Sequence, residues 1–541
     1  MSHGFVAVAC GLLALSAAAL AAGGAPEYLR TTRPRLDLDG QWDFRLDPAD
    51  EGVAGGWSGF ARASPAVKAR SLWSGADAPY PDRIRVPGNW QAARSERAAG
   101  FGEPRRHLRH DYQGKAWYRR TPTIPQDWAG KRIWLHLGGV TNTAEVYANG
   151  RHVGSVDGFL TPYELDLTGI VAAGRTAVIA CRVDSTGPAP VGMFNFFGRW
   201  GGLYRHVWLE ARPDRAIDDV FVMPDVHTAT ARTRVTLRRA EAGTAWQGRV
   251  RVAVTPVAGG TTSAAEATVR FAVGAAESEA AVVPVAVADM HLWSPEDPFL
   301  YFVDVSLLGD HATLDAVRDR FGMRQLEAGP GGTLLLNGRP YFIRGIGDDC
   351  VEVLTGTAAA DKQVHLDRIR QCKRYGYNGF RYLAHTPAKE IFEAADEAGF
   401  LIMAEGEIYW KDKANIPLLK RQVEWIARAY RNHPSWYVWS AGNELFECQG
   451  ASPDPEWMDY IQYAHDTFKR LDPTRFFVAS DGADVSPTDI ITQAAKFAPA
   501  AAFHVLASLD PTHRELRGGS PGGVQLPPRW LLRVPVHPPV R

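Results

Sequence analysis

The chain has 541 residues, too many for one compact core, and about three domains is the prior this length sets. Lys plus Arg and Asp plus Glu both number 60, so nothing in the overall charge points to a nucleic acid or an acidic membrane surface as partner. Seventeen Trp is high for the length; most should fill cores, but aromatic faces also stack on the apolar faces of pyranose rings.

Phe5 to Ala22 form an apolar run rich in Ala and Leu, with Ala19-Leu20-Ala21 near its end. The run is short and closes on small residues, so 1–21 reads as a secretory signal and not as a membrane span, although its start carries His3 and no Lys or Arg. Export to the periplasm or the extracellular space is the expectation. No later apolar run is long enough to cross a bilayer as a helix. Cys10 falls inside the signal. Cys181, Cys350, Cys372 and Cys448 match no metal-ligand spacing and are too sparse for a disulfide framework, so buried or free thiols are expected.

Over 30–213 the pattern is all-β. Ile133-Trp134-Leu135-His136-Leu137 and Ala144-Glu145-Val146-Tyr147-Ala148 alternate, Asn149-Gly150 signals a hairpin turn, and the 177–183 and 206–210 runs continue the series. Such spacing predicts a β-sandwich. A second β segment, 214–325, alternates at 249–254 and 301–307 and has the size of an immunoglobulin-like sandwich.

After Gly331 apolar strands alternate with amphipathic helices. Strands are predicted at 341–344, 378–381, 400–404, 436–440 and 475–479, with helices near 362–375, 388–398, 418–431 and 457–471. This βα repetition over 326–493 predicts part of a parallel (β/α) barrel, about five strands where a closed barrel needs eight. The segment 494–541 is crowded with Pro, Arg and Gly and loses the βα period, so it reads as an irregular, disordered or altered tail. The expected fold is thus multidomain: a jelly-roll-like β-sandwich, an immunoglobulin-like β-sandwich and an incomplete TIM barrel.

Barrel enzymes carry their catalytic groups where strands end. Here the first predicted strand leads to Asp348-Asp349, the second carries Arg381 and leads to His385, the third ends in Glu405 before Trp410, and the fourth in Asn443-Glu444. Glycosidic cleavage needs such groups. One carboxylic acid must protonate the leaving oxygen while a second carboxylate attacks or stabilises the oxocarbenium-like centre from the other face. An amide beside the acid can bind a neighbouring sugar hydroxyl more strongly in the transition state. Each residue has a plainer use as well. Arg381 could organise carboxylates, His385 cap a helix, Asp348 and Asp349 form a turn, and Trp410 pack instead of serving as a sugar platform.

Taken in order, these motifs resemble the family 2 glycoside hydrolases, the group of β-galactosidases, β-glucuronidases and β-mannosidases. The resemblance covers about 36–481. It runs through Asp39-Gly40-Gln41-Trp42, Val86-Pro87-Gly88-Asn89-Trp90, Trp117-Tyr118-Arg119-Arg120, Val146-Tyr147-Ala148-Asn149-Gly150, Gly201-Gly202-Leu203-Tyr204-Arg205 and Leu336-Asn337-Gly338-Arg339-Pro340. Asn378-Gly379-Phe380-Arg381 with His385, and His433-Pro434-Ser435 through Gly442-Asn443-Glu444, are similar to its barrel motifs. The resemblance implies an exo-acting, retaining O-glycosyl hydrolase with Glu444 as general acid/base. It implies a carbohydrate substrate bound by Asn443, His385, Arg381 and Glu405, with Asp349 and Trp410 as further substrate-binding candidates. No cofactor is expected, and no essential metal, since no ligand cluster follows Glu407.

The chain also departs from the family pattern. Gly347-Asp348-Asp349 stands where many members have an Asn and a His-rich loop, which puts a β-galactosidase assignment in doubt. The family's nucleophile is a Glu on a later barrel strand. The only Glu downstream of Asp481 is Glu515, which has no strand before it, so the nucleophile is left unknown. That gap supports a competing expectation: a non-catalytic carbohydrate-binding protein, or an inactive fragment.

Overall fold

The computed structural model describes residues 30–31, 33–59, 83–91, 112–157, 162–186, 200–239, 243–278, 280–330, 333–348, 359–406, 413–443, 445, 454–480 and 488–489, and the backbone of strands 491–494 and 504–508. Two antiparallel sheets make the first domain. One orders Arg83–Val86, Gly40–Leu46, Lys115–Arg120, Ile179–Asp184, Thr143–Ala148 and Arg151–Asp157; the other orders Tyr163–Asp166, Arg132–Leu137, Val207–Arg212 and Arg35–Asp37. Alternation decides which side chains go inward. In Thr143–Ala148 the buried residues are Ala144, Val146 and Ala148. They meet Trp42, Trp90, Tyr118, Leu135 and Leu209 in one core. Asn149 and Gly150 both take positive φ, 51° and 83°, as a two-residue hairpin turn of this hand requires.

The second sandwich pairs a sheet of Thr313–Phe321, Tyr301–Leu308, Trp246–Pro256 and Ser263–Phe271 with a three-stranded sheet of Arg215–Asp225, Thr230–Arg239 and Ala281–Ala286. Tyr301–Leu308 buries every second residue. One detail departs from the sequence boundary. Arg30–Thr31 pairs with Val317 and Arg318 of the second sandwich, not with the first domain.

The barrel segment follows as β1 (Gly345–Asp348), α1 (Lys362–Arg374), β2 (Gly379–Tyr382), α2 (Lys389–Ala398), β3 (Leu401–Glu405), α3 (Ile416–Tyr430), β4 (Trp436–Ser440), α4 (Pro455–Leu471) and β5 (Phe476–Val478). The five strands form one parallel sheet in chain order. Every residue of β3 and β4 is buried, as expected of parallel strands covered on both faces. The predicted first strand is displaced: Tyr341-Phe342-Ile343-Arg344 is not a strand, and β1 begins at Gly345. The Asn378 side chain explains this. It accepts from the Arg344 amide at 2.6 Å and donates to the Phe342 carbonyl at 2.9 Å, occupying backbone groups a ladder would need. His504–Ser508, within the stretch that loses the βα period, pairs antiparallel with Ile491–Ala494 just before it.

The domains are joined through buried ions and helix ends. Arg205 of the first sandwich meets Glu390 of α2, and Arg431, just past α3, meets Asp219 of the second sandwich. Helix α2 ends at Gly399, φ +69°, where an added Cβ would lie 2.3 Å from the Pro295 carbonyl oxygen. The Lys373 ammonium, near the end of α1, donates to the carbonyls of Pro295, Ala398 and Gly399 at 2.7, 2.6 and 3.0 Å.

His136 stacks on Trp208 with ring centroids 4.5 Å apart, beside Glu210 and Arg212. Burial pushes its pKa down to about 4, against the pull of Glu164 and Glu210. Burial would raise the Glu210 carboxyl, but His136, Arg212 and Arg33 outweigh it and bring it to about 2. The unfolded imidazole takes up its proton near pH 6.5. The stability tied to His136 is therefore whole above about pH 6.5 and is lost as pH falls toward about 4; the Glu210 share is lost from about pH 4.5 down to about 2. His136→Gln should flatten the dependence of Tm on pH between those His136 limits. Calorimetric melts with equal slopes for the variant and the parent would refute this.

Candidate active site

The parallel register puts Arg381 of β2 opposite Met403 and Glu405 of β3 opposite Ser440 of β4. Three adjacent strands therefore deliver an arginine, a carboxylate and, three residues beyond Ser440, an amide to one end of the sheet. It is their C-terminal end, where barrel chemistry is built. Arg381 joins the other two. Its Nε donates to Glu405 Oε1 at 2.8 Å and its Nη2 to Asn443 Oδ1 at 2.6 Å. A guanidinium has no acceptor, so the amide must turn its oxygen toward Arg381 and its NH2 group away.

Glu405, expected at the sugar, commits both oxygens to the protein. It is wholly buried, and Oε2 accepts the Ala384 amide at 2.7 Å. Ala384 has φ +54°, a costly setting for a residue with a Cβ, and this bond helps to hold it. The same turn is tied twice more to the end of β3: the Glu405 amide donates to the His385 carbonyl at 3.1 Å, and the Thr386 hydroxyl donates to the Glu405 carbonyl at 2.8 Å. His385 is buried with Nδ1 2.7 Å from the Leu383 carbonyl. A carbonyl only accepts, so Nδ1 carries the proton and in the neutral ring Nε2 is the acceptor.

The structure thus brings Arg381, Glu405, His385 and Asn443 together. Glu444, Asp349 and Trp410 lie outside the described residues. Asp348 is buried at the end of β1 with Oδ2 2.7 Å from Nη2 of Arg368 on α1, a structural pairing. Sequence reasoning did not single out Ala384, Thr386, Tyr460 or Ser480. Of these, Ser480 had a usable signal, as a polar residue just past the fifth apolar strand run. Among the described residues no group of three or more His, Cys, Asp or Glu could hold a metal ion, and no helix is long and apolar enough to cross a membrane.

Replacing Glu405 by Leu would leave the Arg381 guanidinium and the Ala384 amide without their carboxylate. The expected loss is about 3–5 kcal/mol of folding stability, the usual result of breaking one side of a buried charge pair. A lowered urea midpoint, with a smaller loss in Glu405→Gln, would bear this out; a midpoint equal to the parent's would refute it.

Comparison with known proteins follows the same division of the chain. Residues 36–213 match the sugar binding domain of glycosyl hydrolases family 2, 216–324 match a second model of that family, and 330–510 match its TIM barrel domain. A β-galactosidase of Thermoanaerobacter pseudethanolicus is 28% identical over 342 residues, covering 61% of this chain and 44% of the relative. A β-glucuronidase of Paenibacillus borealis is 25% identical over 484 residues, covering 82% and 72%. The chain therefore spans 44% of the first relative's length and 72% of the second's. Two solved structures share the fold at 22% identity. A family 2 member from Bacteroides cellulosilyticus has a TM-score of 0.67 over 84% of this chain and 58% of that one. A β-glucuronidase from Ruminococcus gnavus has a TM-score of 0.63 over 84% and 74%. All three successive domains match, in the family's order and with little chain left between them, so this chain belongs to glycosyl hydrolase family 2.

Proposed function

We propose that the protein is an exo-acting, retaining glycoside hydrolase, with Glu444 as the general acid/base. The observation that carries this reading is the Arg381 bridge between Asn443 and Glu405 at adjacent strand ends. It fixes the residue next to Glu444 and leaves the Asn443 NH2 group as the end presented to a sugar hydroxyl. Glu444 protonates the leaving oxygen as the glycosidic bond breaks, and then, as a base, activates the water that releases the sugar. In retaining enzymes a second carboxylate, held roughly 5–5.5 Å from the first, forms the glycosyl intermediate; no residue of this chain is assigned that role. The Asn443 amide binds the hydroxyl beside the reacting carbon most strongly in the transition state.

The relatives are named for β-galactosides and β-glucuronides, and aryl forms of these two are the first substrates to try. By the same reading the chain is exported, on the strength of the apolar run from Phe5 to Ala22; the secreted protein would then begin near Ala22. Release of nitrophenol from the nitrophenyl form of one of the two is the expected result. Glu444→Ala should lower kcat/KM on poor leaving groups by about 10²–10⁴. Undiminished cleavage of such substrates by the variant would overturn the assignment.

A further inference from the structure

The chain past β4 is held from several directions before and after position 444. The Ala441 amide donates to the Val478 carbonyl of β5 at 2.8 Å, and the Gly406 amide donates to the Ser440 carbonyl at 2.7 Å. The Ser440 hydroxyl donates to the Gly442 carbonyl at 2.7 Å, and the Tyr460 hydroxyl of α4 donates to the Ala441 carbonyl at 3.1 Å. Arg381 then fixes the Asn443 side chain. On the far side, the Leu445 amide donates to the Ser480 hydroxyl at 3.0 Å, and the Leu445 side chain is buried in the barrel core. Ser480 is itself fully buried, two residues past the end of β5.

We infer that Ser480 is a positioning residue for the proton donor: its hydroxyl fixes the backbone immediately after Glu444, as Arg381 fixes the side chain immediately before it. The inference rests on the reading of Glu444 as the general acid. The physical reason is that the Leu445 amide is buried and must be paired. Without an acceptor at Ser480 the Leu445 backbone, joined directly to the proposed donor, shifts toward another partner. A proton donor displaced by about 1 Å loses alignment with the leaving oxygen, whereas the Asn443 side chain keeps its hold on Arg381. The defect therefore belongs to proton donation and not to sugar binding.

Two measurements on the full chain test this. Hydrogen exchange needs no turnover. In Ser480→Ala the Leu445 amide should exchange roughly tenfold faster or more, while the amides within β3 and β4 keep their protection. Ser480→Thr, which retains the hydroxyl, should restore slow exchange. Exchange at Leu445 that matches the parent's overturns the inference, as does a uniform rise across the barrel. The second measurement is kcat/KM on two glycosides of the same sugar, one with a dinitrophenyl leaving group and one with an alkyl leaving group. The first needs little protonation to depart and the second depends on it. Ser480→Ala should lower kcat/KM on the alkyl glycoside by about 10-fold or more and leave the dinitrophenyl value within about twofold. Added to Glu444→Gln, it should cause no further loss. Equal loss on both substrates in a Glu444-dependent enzyme overturns the role of Ser480 alone. Undiminished alkyl-glycoside cleavage by Glu444→Gln overturns the acid assignment, and the role of Ser480 with it.

Discussion

Two buried guanidinium groups decide how β4 enters the barrel, and with it where the proposed acid stands. Arg324, at the end of the second sandwich, donates to the carbonyls of Pro434 and Trp436, both at 2.7 Å. Arg475, just before β5, donates to Trp436 and His433 at 2.7 and 2.6 Å and pairs with Asp472. One carbonyl, that of Trp436, takes a bond from each. Burial and the repulsion of Arg475 push the Arg324 pKa down to about 9, even with a ring of carbonyl oxygens around it. The His433–Trp436 turn supplies that ring, and His433 is held in turn by Asp396 at 2.5 Å. A strand so anchored at its start cannot slip in register without leaving a charge unsolvated.

The same chemistry recurs wherever domains meet. Arg33 spans the two sandwiches, reaching Asp315 at 2.6 Å, Glu210 at 3.1 Å and the Ile217 carbonyl at 2.7 Å. Asn432 reaches from just past α3 into the second sandwich, bonding the backbone of Val220 and Val222 and the Asp319 carboxylate. The Trp293 indole donates to the Asp396 carbonyl at 3.0 Å, from the second sandwich to α2. Apolar surface alone would permit sliding. Directional bonds to buried groups do not, and the preceding β domains thereby become part of the barrel's scaffold.

Much of this was legible in the chain. Alternation marks 301–307 and 144–148, which fall in the strands Tyr301–Leu308 and Thr143–Ala148, and the continuous apolar run Trp436–Ser440 appears as a strand with those same bounds. The failures share one cause, a partner distant in sequence. Tyr341-Phe342-Ile343-Arg344 has a strand's composition, but Asn378, more than thirty residues on, takes its backbone bonds. Glu405 is legible as a strand-end carboxylate; what is not legible is its engagement by Arg381 and by an amide of the preceding turn, which depends on a positive φ at Ala384 that no residue type announces. The sequence allows Arg381 to serve both as an organiser of carboxylates and as a substrate ligand, and its bonds to Glu405 and Asn443 give the first use a geometry.

Lys373 offers a mechanical consequence. Its ammonium gathers the Pro295 carbonyl with those of Ala398 and Gly399, so the ends of α1 and α2 and the tail of the second sandwich meet at one point. In a βα unit the helix C-termini lie at the opposite end of the sheet from the strand C-termini. The second sandwich thus grips the barrel segment at the end where Arg324 and Arg475 also bind, opposite the rim that carries Arg381, Glu405 and Asn443.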